Sequence, residues 1–486
     1  MPSHRPLPAD SNAPQWSLLA WSSRLTATIL TKSLAVPSLN GKRFPLSSIL
    51  QPLFILLFCS CDPTGYEVEF NEPVSADSLF VVEEGSAHIF TGRELASAAT
   101  LDSRLRPLFI AGNPLGWDID GYKDKVNEGR YYKTVVIRYP STDTRGRRIW
   151  LSGRLYMGCS VDGRIRTPLH TVLSCHFTIA KADECPSKSY TMDAGLAFNY
   201  GLVVCPDYMG FGASEDRVHP YCIAELTAVN AIDMVRAARS YVEACGRPLS
   251  RKLPFYIVGY SQGGAAALAV HKYIEEHQLL KEFPITNTYC GGGPYSMETI
   301  LESYVDNDYC GYPLAIPYIL LGLKETYPGI LTRPLEEFLT PRFNECGLMR
   351  LVEGKQMNSQ DICTAIRDSL KPGATVGIET SLMLSEEAMD KESELYQQLH
   401  SATLFNELAE SWTPTRPVHF FHYAKDEIVA IDGFLKAREN LANEQTYFEK
   451  VDCGNLLTGH LNNGGLFYAR AISGEYLKVM PSGANF

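Results

Sequence analysis

Ser261 stands between Gly259 and Gly263 in a segment, residues 253–270, that reads LPFYIVGYSQGGAAALAV. The apolar residues before the serine predict a buried strand, and the small residues after it predict a helix. A strand that turns sharply into a helix leaves little room for side chains, so the two glycines allow the turn to present the Ser261 hydroxyl. The free N–H groups at the start of the helix favour negative charge that develops there. The segment therefore predicts a nucleophilic serine.

Several segments around this serine resemble one superfamily of hydrolases. GYSQGG after FYIV looks like the nucleophile elbow of the α/β-hydrolase superfamily, whose order of elements is followed by residues from about 131 to 486. Within it, the segments SCHFTIAKADECPS, VVCPDYMGFGAS with HPY, and CGGGPYS resemble the secretory-lipase-like and related bacterial serine hydrolases with a helical cap. The resemblance implies an α/β-hydrolase fold: a mostly parallel sheet covered by helices on both faces, with a helical cap inserted before the acid-bearing strand.

A serine hydroxyl needs a base to remove its proton, and the base needs a carboxylate that holds its tautomer. The resemblance implies the chain order serine, acid, histidine. His460, in CGNLLTGHLNNGG, is the one histidine that follows any plausible acid loop, so it is the predicted base. The segment AKDEIV, after a predicted strand, resembles the acid loop of the family with Asp426 in the acid position. Glu427 and Asp432 remain alternatives for the acid.

An acyl-transfer intermediate also needs hydrogen-bond donors for its oxyanion. One expected donor is the backbone N–H of Gln262, the residue after the nucleophile. The second is expected on the loop after HTVLSCHF, where relatives often carry His-Gly and this chain carries Phe177 in place of the glycine. Thr178 is therefore the candidate for the second donor.

The other histidines are interpreted as structural. His419 and His422 flank an apolar pair in a predicted strand, so they do not share one face, and we expect core residues or neighbours of the site rather than metal ligands. His219, in VHPY, matches a position common in the related hydrolases and is expected to have a structural role. His88 and His271 are interpreted as surface or packing residues.

The order of elements along the chain favours a parallel sheet. Residues 131–158 hold two β-branched and aromatic runs around a polar connection, which predicts an antiparallel hairpin. HTVLSCHF and YGLVVCPDY are continuous apolar runs, typical of strands that are buried on both faces. In residues 224–246 apolar side chains recur every three or four positions until Gly246, which predicts a helix. This alternation predicts a sheet with helices on both faces.

Changes in this pattern divide the chain. The expected parts are an N-terminal extension with an export signal in 1–61, a further extension in 62–130, a hydrolase core in 131–295 and 412–486, and a helical cap in 296–411. One predicted cap helix has an apolar face formed by Ile316, Ile319, Leu320 and Leu323. That face either covers an acyl pocket or belongs to the core of the cap itself.

Composition and charge restrict the class of protein. The chain has 486 residues, 45% of them hydrophobic, with a net charge of −11 and a pI near 5.6. That length and apolar content support a large buried core, and the charge argues against a nucleic-acid partner because the chain has no basic stripe to displace counterions from phosphates. The 13 cysteines show no CxxC pair or zinc-like spacing, and GFGAS and CGGGP match no dinucleotide or phosphate fingerprint. No metal or cofactor is expected.

The N-terminal region predicts export. Lys42 and Arg43 precede an apolar run, residues 46–58, which is too short for a bilayer span of about 20 residues but suits the apolar region of a signal peptide. The stretch resembles a bacterial lipoprotein signal, with Cys61 as the lipidated residue that would anchor the chain to a membrane. The alternatives are an ordinary secretory signal and a stray apolar segment. The expected location is the periplasm, the cell surface or the medium. Residues 1–41, ahead of this signal, are interpreted as not native.

These residues together predict an exported serine hydrolase that cleaves carboxylic esters. Ser261 is the expected nucleophile, His460 the base and Asp426 the acid, and the expected substrate is a small-molecule ester with an apolar acyl group. Two other functions stay open. One is a serine peptidase or amidase that uses the same three residues, and the other is a non-catalytic binder of apolar ligands.

Overall fold

The computed structural model of the chain describes residues 80–110, 119–250, 252–452 and 458–476, which all belong to one compact unit, 66–486. The expected export signal and Cys61 lie outside the described residues. Among the helices that are described, none has the length and apolar content needed to cross a membrane.

One mixed sheet of ten strands organises the described part of the chain. The strands are β1 (Val81–Val82), β2 (His88–Thr91), β3 (Tyr131–Thr142), β4 (Arg148–Cys159), β5 (Thr171–Cys175), β6 (Leu202–Pro206), β7 (Phe255–Tyr260), β8 (Ile285–Gly291), β9 (Val418–Tyr423) and β10 (Thr446–Val451). Their order across the sheet is β1, β3, β4, β6, β5, β7, β8, β9, β10, and β2 also pairs with β3.

The sheet is parallel from β6 to β10 and antiparallel at the other edge. β3 and β4 form the hairpin that the sequence predicts, with Tyr131 opposite Cys159 and Thr142 opposite Arg148. β4 then joins β6 antiparallel, while β6, β5, β7, β8, β9 and β10 are parallel neighbours in that order. Every residue of β5 and β6 is buried, as expected for strands covered on both faces.

Helices connect these strands and cover the sheet. They are α1 (Gly92–Ala98), α2 (Leu101–Ile110), α3 (Ile119–Asn127), α4 (Ala224–Ala244), α5 (Gln262–Glu276), α6 (Met297–Asp306), α7 (Ala315–Thr326), α8 (Leu335–Phe338), α9 (Pro341–Glu345), α10 (Met349–Glu353), α11 (Ser359–Leu370), α12 (Glu386–Met389), α13 (Glu394–Leu404), α14 (Asp432–Leu441) and α15 (His460–Ser473). Eight of them, α6 to α13, lie between β8 and β9. We call that segment, 297–404, the cap.

Successive residues of the central strands pack into two separate cores. In β5, Leu173 belongs to the core that contains α4 and α5, whereas Val172 belongs to the core that contains α15. Ile257 and Val258 of β7 divide in the same way. Because side chains alternate across a strand, helices must cover both faces of the sheet. The predicted α/β architecture is thereby confirmed.

Candidate functional site

A cavity of about 400 Å³ lies where the predicted site residues meet, at the carboxyl ends of the parallel strands. Ser261, His460 and Thr178 all line it. Much of the remaining wall is apolar and comes from the cap, through side chains that include Met297, Ile300 and Ile319. The volume is in the range of sites for small organic ligands.

Ser261 occupies the turn between β7 and α5. Its backbone has φ 59° and ψ −127°, a conformation that costs about 1–3 kcal/mol in a residue with a side chain. Two backbone hydrogen bonds of 2.8 Å hold it there: the Ser261 N–H donates to the carbonyl of Gly291, and the Ser261 carbonyl accepts from the N–H of Gly264. The strain is therefore concentrated at the one residue whose hydroxyl the turn presents.

The glycines beside Ser261 are required by close contacts. A Cβ at Gly259 would lie 2.0 Å from the carbonyl oxygen of Gly263. A Cβ at Gly263 would lie 2.0 Å from the carbonyl oxygen of Cys175, at the end of β5. Both distances are far shorter than any real contact, so the backbone could not keep this turn with a side chain at either position.

His460 and Asp426 are hydrogen-bonded to each other. The distance from His460 Nδ1 to Asp426 Oδ2 is 2.6 Å, and the two side chains are 3% and 0% exposed. His460 Nε2 is also buried and has no hydrogen-bond partner within the described residues. The ring thus has one nitrogen fixed by a carboxylate and the other left without a protein partner beside the cavity that Ser261 lines.

The surroundings of Asp426 decide the tautomer of that ring. Its Oδ1 accepts the backbone N–H groups of Ile428 at 3.0 Å and Val429 at 2.8 Å. Burial acts to raise the pKa of Asp426, but the charge and hydrogen bond of His460, with smaller contributions from His422 and Val429, hold that pKa below its ordinary value. Asp426 is therefore ionised at neutral pH and accepts from Nδ1, so in the neutral form of the ring Nδ1 carries the proton and Nε2 the lone pair.

Two further residues hold the backbone of His460. The carboxylate of Glu427 accepts the His460 N–H at 3.0 and 3.1 Å, and the Tyr260 hydroxyl donates to the His460 carbonyl at 2.8 Å. Gly459 has φ 87° and precedes the first turn of α15, which begins at His460. Asp432 is the first residue of α14, where a carboxylate suits the positive end of the helix.

The two oxyanion candidates are each held by a side-chain contact. Gln262 is the first residue of α5, so its N–H has no carbonyl within the helix to bond; its side-chain amide lies 2.8 Å from His219 Nε2. The Thr178 hydroxyl lies 2.9 Å from the hydroxyl of Tyr221. His219 and Tyr221 are each 43 residues from their partners along the chain, so no local sequence pattern could reveal these contacts.

The remaining histidines have structural surroundings. Burial lowers the pKa of His419 to about 4, and its ring stacks on Tyr289 at 4.7 Å. His422 is fully buried, 3.9 Å from Asp426, and burial lowers its pKa as well. His271 is buried and His88 is exposed. Within the described residues, no group of three or more His, Cys, Asp or Glu side chains could hold a metal ion.

Comparison with protein families gives one match. The model of the secretory lipase family matches residues 190–464, which is more than half of the 486 residues and includes Ser261, Asp426 and His460. The resemblance seen in the sequence is thereby confirmed. A search of curated proteins finds no match.

Solved structures share the fold at low sequence identity. The esterase LipA of Xanthomonas oryzae, which degrades rice cell walls, is 19% identical with a TM-score of 0.61 over 82% of this chain and 97% of its own. A Legionella pneumophila protein is 16% identical with a TM-score of 0.61 over 85% of this chain and 100% of its own. Candida antarctica lipase A is 16% identical with a TM-score of 0.50 over 74% and 80%. The fold is that of the α/β-hydrolases.

Proposed function

The chain belongs to the secretory lipase family and is an ester-hydrolysing enzyme, and we propose that it cleaves carboxylic esters through an acyl-enzyme on Ser261. The Ser261 Oγ attacks the ester carbonyl carbon while its proton passes to His460 Nε2. The tetrahedral intermediate collapses, the carbon–oxygen bond to the alcohol breaks, and His460 returns the proton to the departing alcohol. Water then attacks the acyl-serine by the same steps and releases the carboxylic acid.

The observation that carries the proposal is the buried, unpartnered Nε2 of His460 at the cavity that Ser261 also lines. Burying a polar atom without a partner is unfavourable unless a bound molecule or the nucleophile uses it. The ionised Asp426 supports this role, because it keeps the proton on Nδ1 and would stabilise the imidazolium that forms. These features favour catalysis over a non-catalytic binder, and membership of a lipase family favours esters over peptides and other amides.

The oxyanion of the intermediate needs donors that are in place before the reaction. We propose the backbone N–H groups of Gln262 and Thr178 for this role. Gln262 begins α5, so the helix dipole adds to its N–H. Thr178 lines the same cavity as Ser261.

Substitutions at the proposed nucleophile, base and acid test their roles. Ser261→Ala and His460→Ala are expected to lower kcat by about 10⁴-fold or more because the three residues act as a unit. Asp426→Asn is expected to lower kcat by about 10⁴-fold, since an amide leaves the wrong tautomer on His460. Steady-state kinetics on a p-nitrophenyl ester measures each effect.

Glu427→Gln is the matched control for the acid. Glu427 is adjacent to Asp426, and both carboxylates bond His460. Glu427 accepts the backbone N–H of His460, whereas Asp426 bonds the His460 ring. We expect a loss of kcat of about 10-fold or less, because the glutamine amide oxygen can still accept the His460 N–H and a neutral hydrogen bond is worth about 0.5–1.5 kcal/mol. A larger loss in Glu427→Gln than in Asp426→Asn would assign the acid role to Glu427.

The cap side of the cavity suggests which esters fit. Ile319, Met297, Ile300 and Tyr304 line the main cavity and also a second space of about 30 Å³ between cap helices. Of the apolar face predicted on α7, Ile319 therefore borders the catalytic cavity, while Ile316, Leu320 and Leu323 border only the second space. We propose that the acyl chain of the substrate lies along this wall.

Acyl-chain length tests this arrangement. Each buried methylene contributes about 0.8 kcal/mol, so kcat/KM is expected to rise about 4-fold per methylene from acetate upward until the cavity is full. Ile319→Phe should move the optimum towards shorter acyl chains because the larger ring fills part of the cavity. Kinetics across p-nitrophenyl esters from acetate to decanoate measures both.

Leu404→Phe serves as the control for acyl length, because Leu404 ends α13 of the same cap and is 43% exposed. Its length profile should match that of the unmodified protein. A profile that peaks at acetate and falls steadily would contradict an acyl site under the cap.

We propose that the mature enzyme is exported and begins at Cys61, which carries lipid. The family description suggests export, and the apolar run before Cys61 supports a lipoprotein signal. Intact-mass analysis of membrane and secreted fractions should give a chain that starts at Cys61 with added acyl mass, which a Cys61→Ser variant should lack. A mature chain that retains residues 1–60 would refute this start.

A further inference from the structure

The two proposed oxyanion donors lie on separate elements that meet at one group of rings. Gln262 begins α5, and Thr178 lies on the loop after β5. Between them lie His219, Tyr221 and Tyr318, which are 2%, 7% and 2% exposed. We call these three residues the aromatic clamp.

His219 holds the side chain of Gln262 in place. Its Nδ1 lies 2.8 Å from the carbonyl oxygen of Met209, and its Nε2 lies 2.8 Å from the side-chain nitrogen of Gln262. Burial lowers the pKa of His219 to about 3, so the ring is neutral at the pH of any ordinary assay. Nδ1 then donates to Met209, and Nε2 accepts a hydrogen bond from the Gln262 amide.

Tyr221 and Tyr318 hold the loop that carries Thr178. The Tyr221 hydroxyl pairs with the Thr178 hydroxyl at 2.9 Å, and the Tyr318 hydroxyl donates to the carbonyl of Ile179 at 3.0 Å. Residues 178 and 179 are thus held through a side chain and through the backbone. A shift of either contact would move the Thr178 N–H with it.

The rings of the clamp also pack on one another. Tyr221 and Tyr318 stack with centroids 4.8 Å apart and an interplanar angle of 16°. The His219 ring meets Tyr221 at 5.9 Å and Tyr318 at 5.5 Å, both edge to face. Aromatic pairs in these geometries add about 0.5–1.5 kcal/mol each to the burial of their surface. These ring contacts therefore connect the residue that bonds Gln262 with the two residues that bond the loop of Thr178.

Tyr318 belongs to α7, so the cap supplies one member of the clamp. The helix is seated without clearance: a Cβ at Gly322 would lie 2.7 Å from the Tyr221 nitrogen and 2.8 Å from its carbonyl oxygen. Lys355, elsewhere in the cap, is buried and donates to the carbonyls of Gly210, Glu215 and Arg217, on the loop that leads to His219. The cap is thus hydrogen-bonded to the loop that leads to His219 and Tyr221 and, through Tyr318, to the loop after β5.

We propose that His219, Tyr221 and Tyr318 are positioning residues that hold the two oxyanion donors, so that the cap takes part in catalysis through Tyr318 as a fixed part of the site. This inference rests on the proposed function, since it needs a tetrahedral intermediate on Ser261. It differs from a wall or cover for substrate, because a cover affects substrate binding, whereas the clamp acts on the intermediate.

Tyr318→Phe tests the clamp because the ring stays and only the hydroxyl that donates to Ile179 is lost. Removing a whole oxyanion donor costs about 10²–10³-fold in kcat. Misplacing one is expected to cost about 10-fold, with KM changed by less than about 2-fold, because the donors act on the tetrahedral state rather than the bound ester. The affinity for an alkyl boronic acid, which forms a tetrahedral adduct, should fall by the same factor as kcat.

A second variant reaches the same contacts without removing a hydroxyl. Gly322→Ala must push α7 away from Tyr221, and it is expected to lower kcat and boronate affinity in parallel. The matched control is Tyr327→Phe, which removes a buried hydroxyl at the end of α7 that donates to Asn406 at 3.3 Å. The control should keep kcat and boronate affinity within about 2-fold, as expected for a hydroxyl without a role in the transition state.

The outcomes separate the clamp from the proposed function. If Ser261→Ala keeps its activity, the acyl-enzyme proposal fails, and the clamp fails with it. If Ser261→Ala is inactive while Tyr318→Phe and Gly322→Ala match Tyr327→Phe in kcat, the clamp alone is wrong. A rise in KM with unchanged boronate affinity would also overturn it, because that pattern belongs to a residue that binds substrate.

Discussion

The hydrogen bond between Asp426 Oδ2 and His460 Nδ1, 2.6 Å long and buried at both ends, is the interaction on which the rest of the site depends. It fixes the tautomer that leaves Nε2 free to accept a proton. The two side chains must also stay together, because separating a buried pair leaves an uncompensated charge that costs about 3–5 kcal/mol. The loop after β9 and the start of α15 must therefore be held together, which Glu427 of that loop does by accepting the His460 N–H. Tyr260, at the end of β7, holds the His460 carbonyl from the other side.

Ser261, the proposed nucleophile, is held mainly by the crowding around its backbone. Ser261 keeps a strained backbone conformation because the turn around it is too crowded to relax, with Gly259, Gly263 and Cys175 in contact. The proposed acid–base pair thus depends on a side-chain hydrogen bond, whereas Ser261 depends on close packing together with two backbone hydrogen bonds. The cap joins the two, because it supplies apolar wall to the cavity and, through Tyr318, contacts the loop after β5. We therefore expect a substitution deep in the cap to change kcat through this contact.

The sequence predicts those parts of the molecule that local pattern controls. The hairpin β3–β4, the buried strands β5 and β6 and the turn at Ser261 follow from runs of apolar, small and turn residues. The pairing of Asp426 with His460 could be proposed from the chain order of a resembling superfamily, although the residues alone left Glu427 and Asp432 open. In the structure Asp426 bonds the ring of His460, Glu427 bonds its backbone N–H, and Asp432 begins α14.

Other features depend on contacts between distant residues and were not predictable. α15 begins at His460 because Gly459 and Glu427 shape its first turn. An apolar repeat within the helix gives no sign of either contact. The periodicity of α7 could not tell a pocket wall from the core of the cap, because its face borders both spaces and Ile319 is shared. The clamp joins residues 139 positions apart, Ile179 and Tyr318, and no spacing rule connects them.

The central claim is that Ser261 becomes acylated during turnover. Rapid acid quenching of the enzyme with a slowly deacylating p-nitrophenyl ester, followed by intact-mass analysis and peptide mapping, tests it directly. The account predicts one acyl group per chain, on the peptide that contains Ser261, formed at the rate of the nitrophenol burst. Turnover without any such adduct, or an adduct on a different residue, would contradict it.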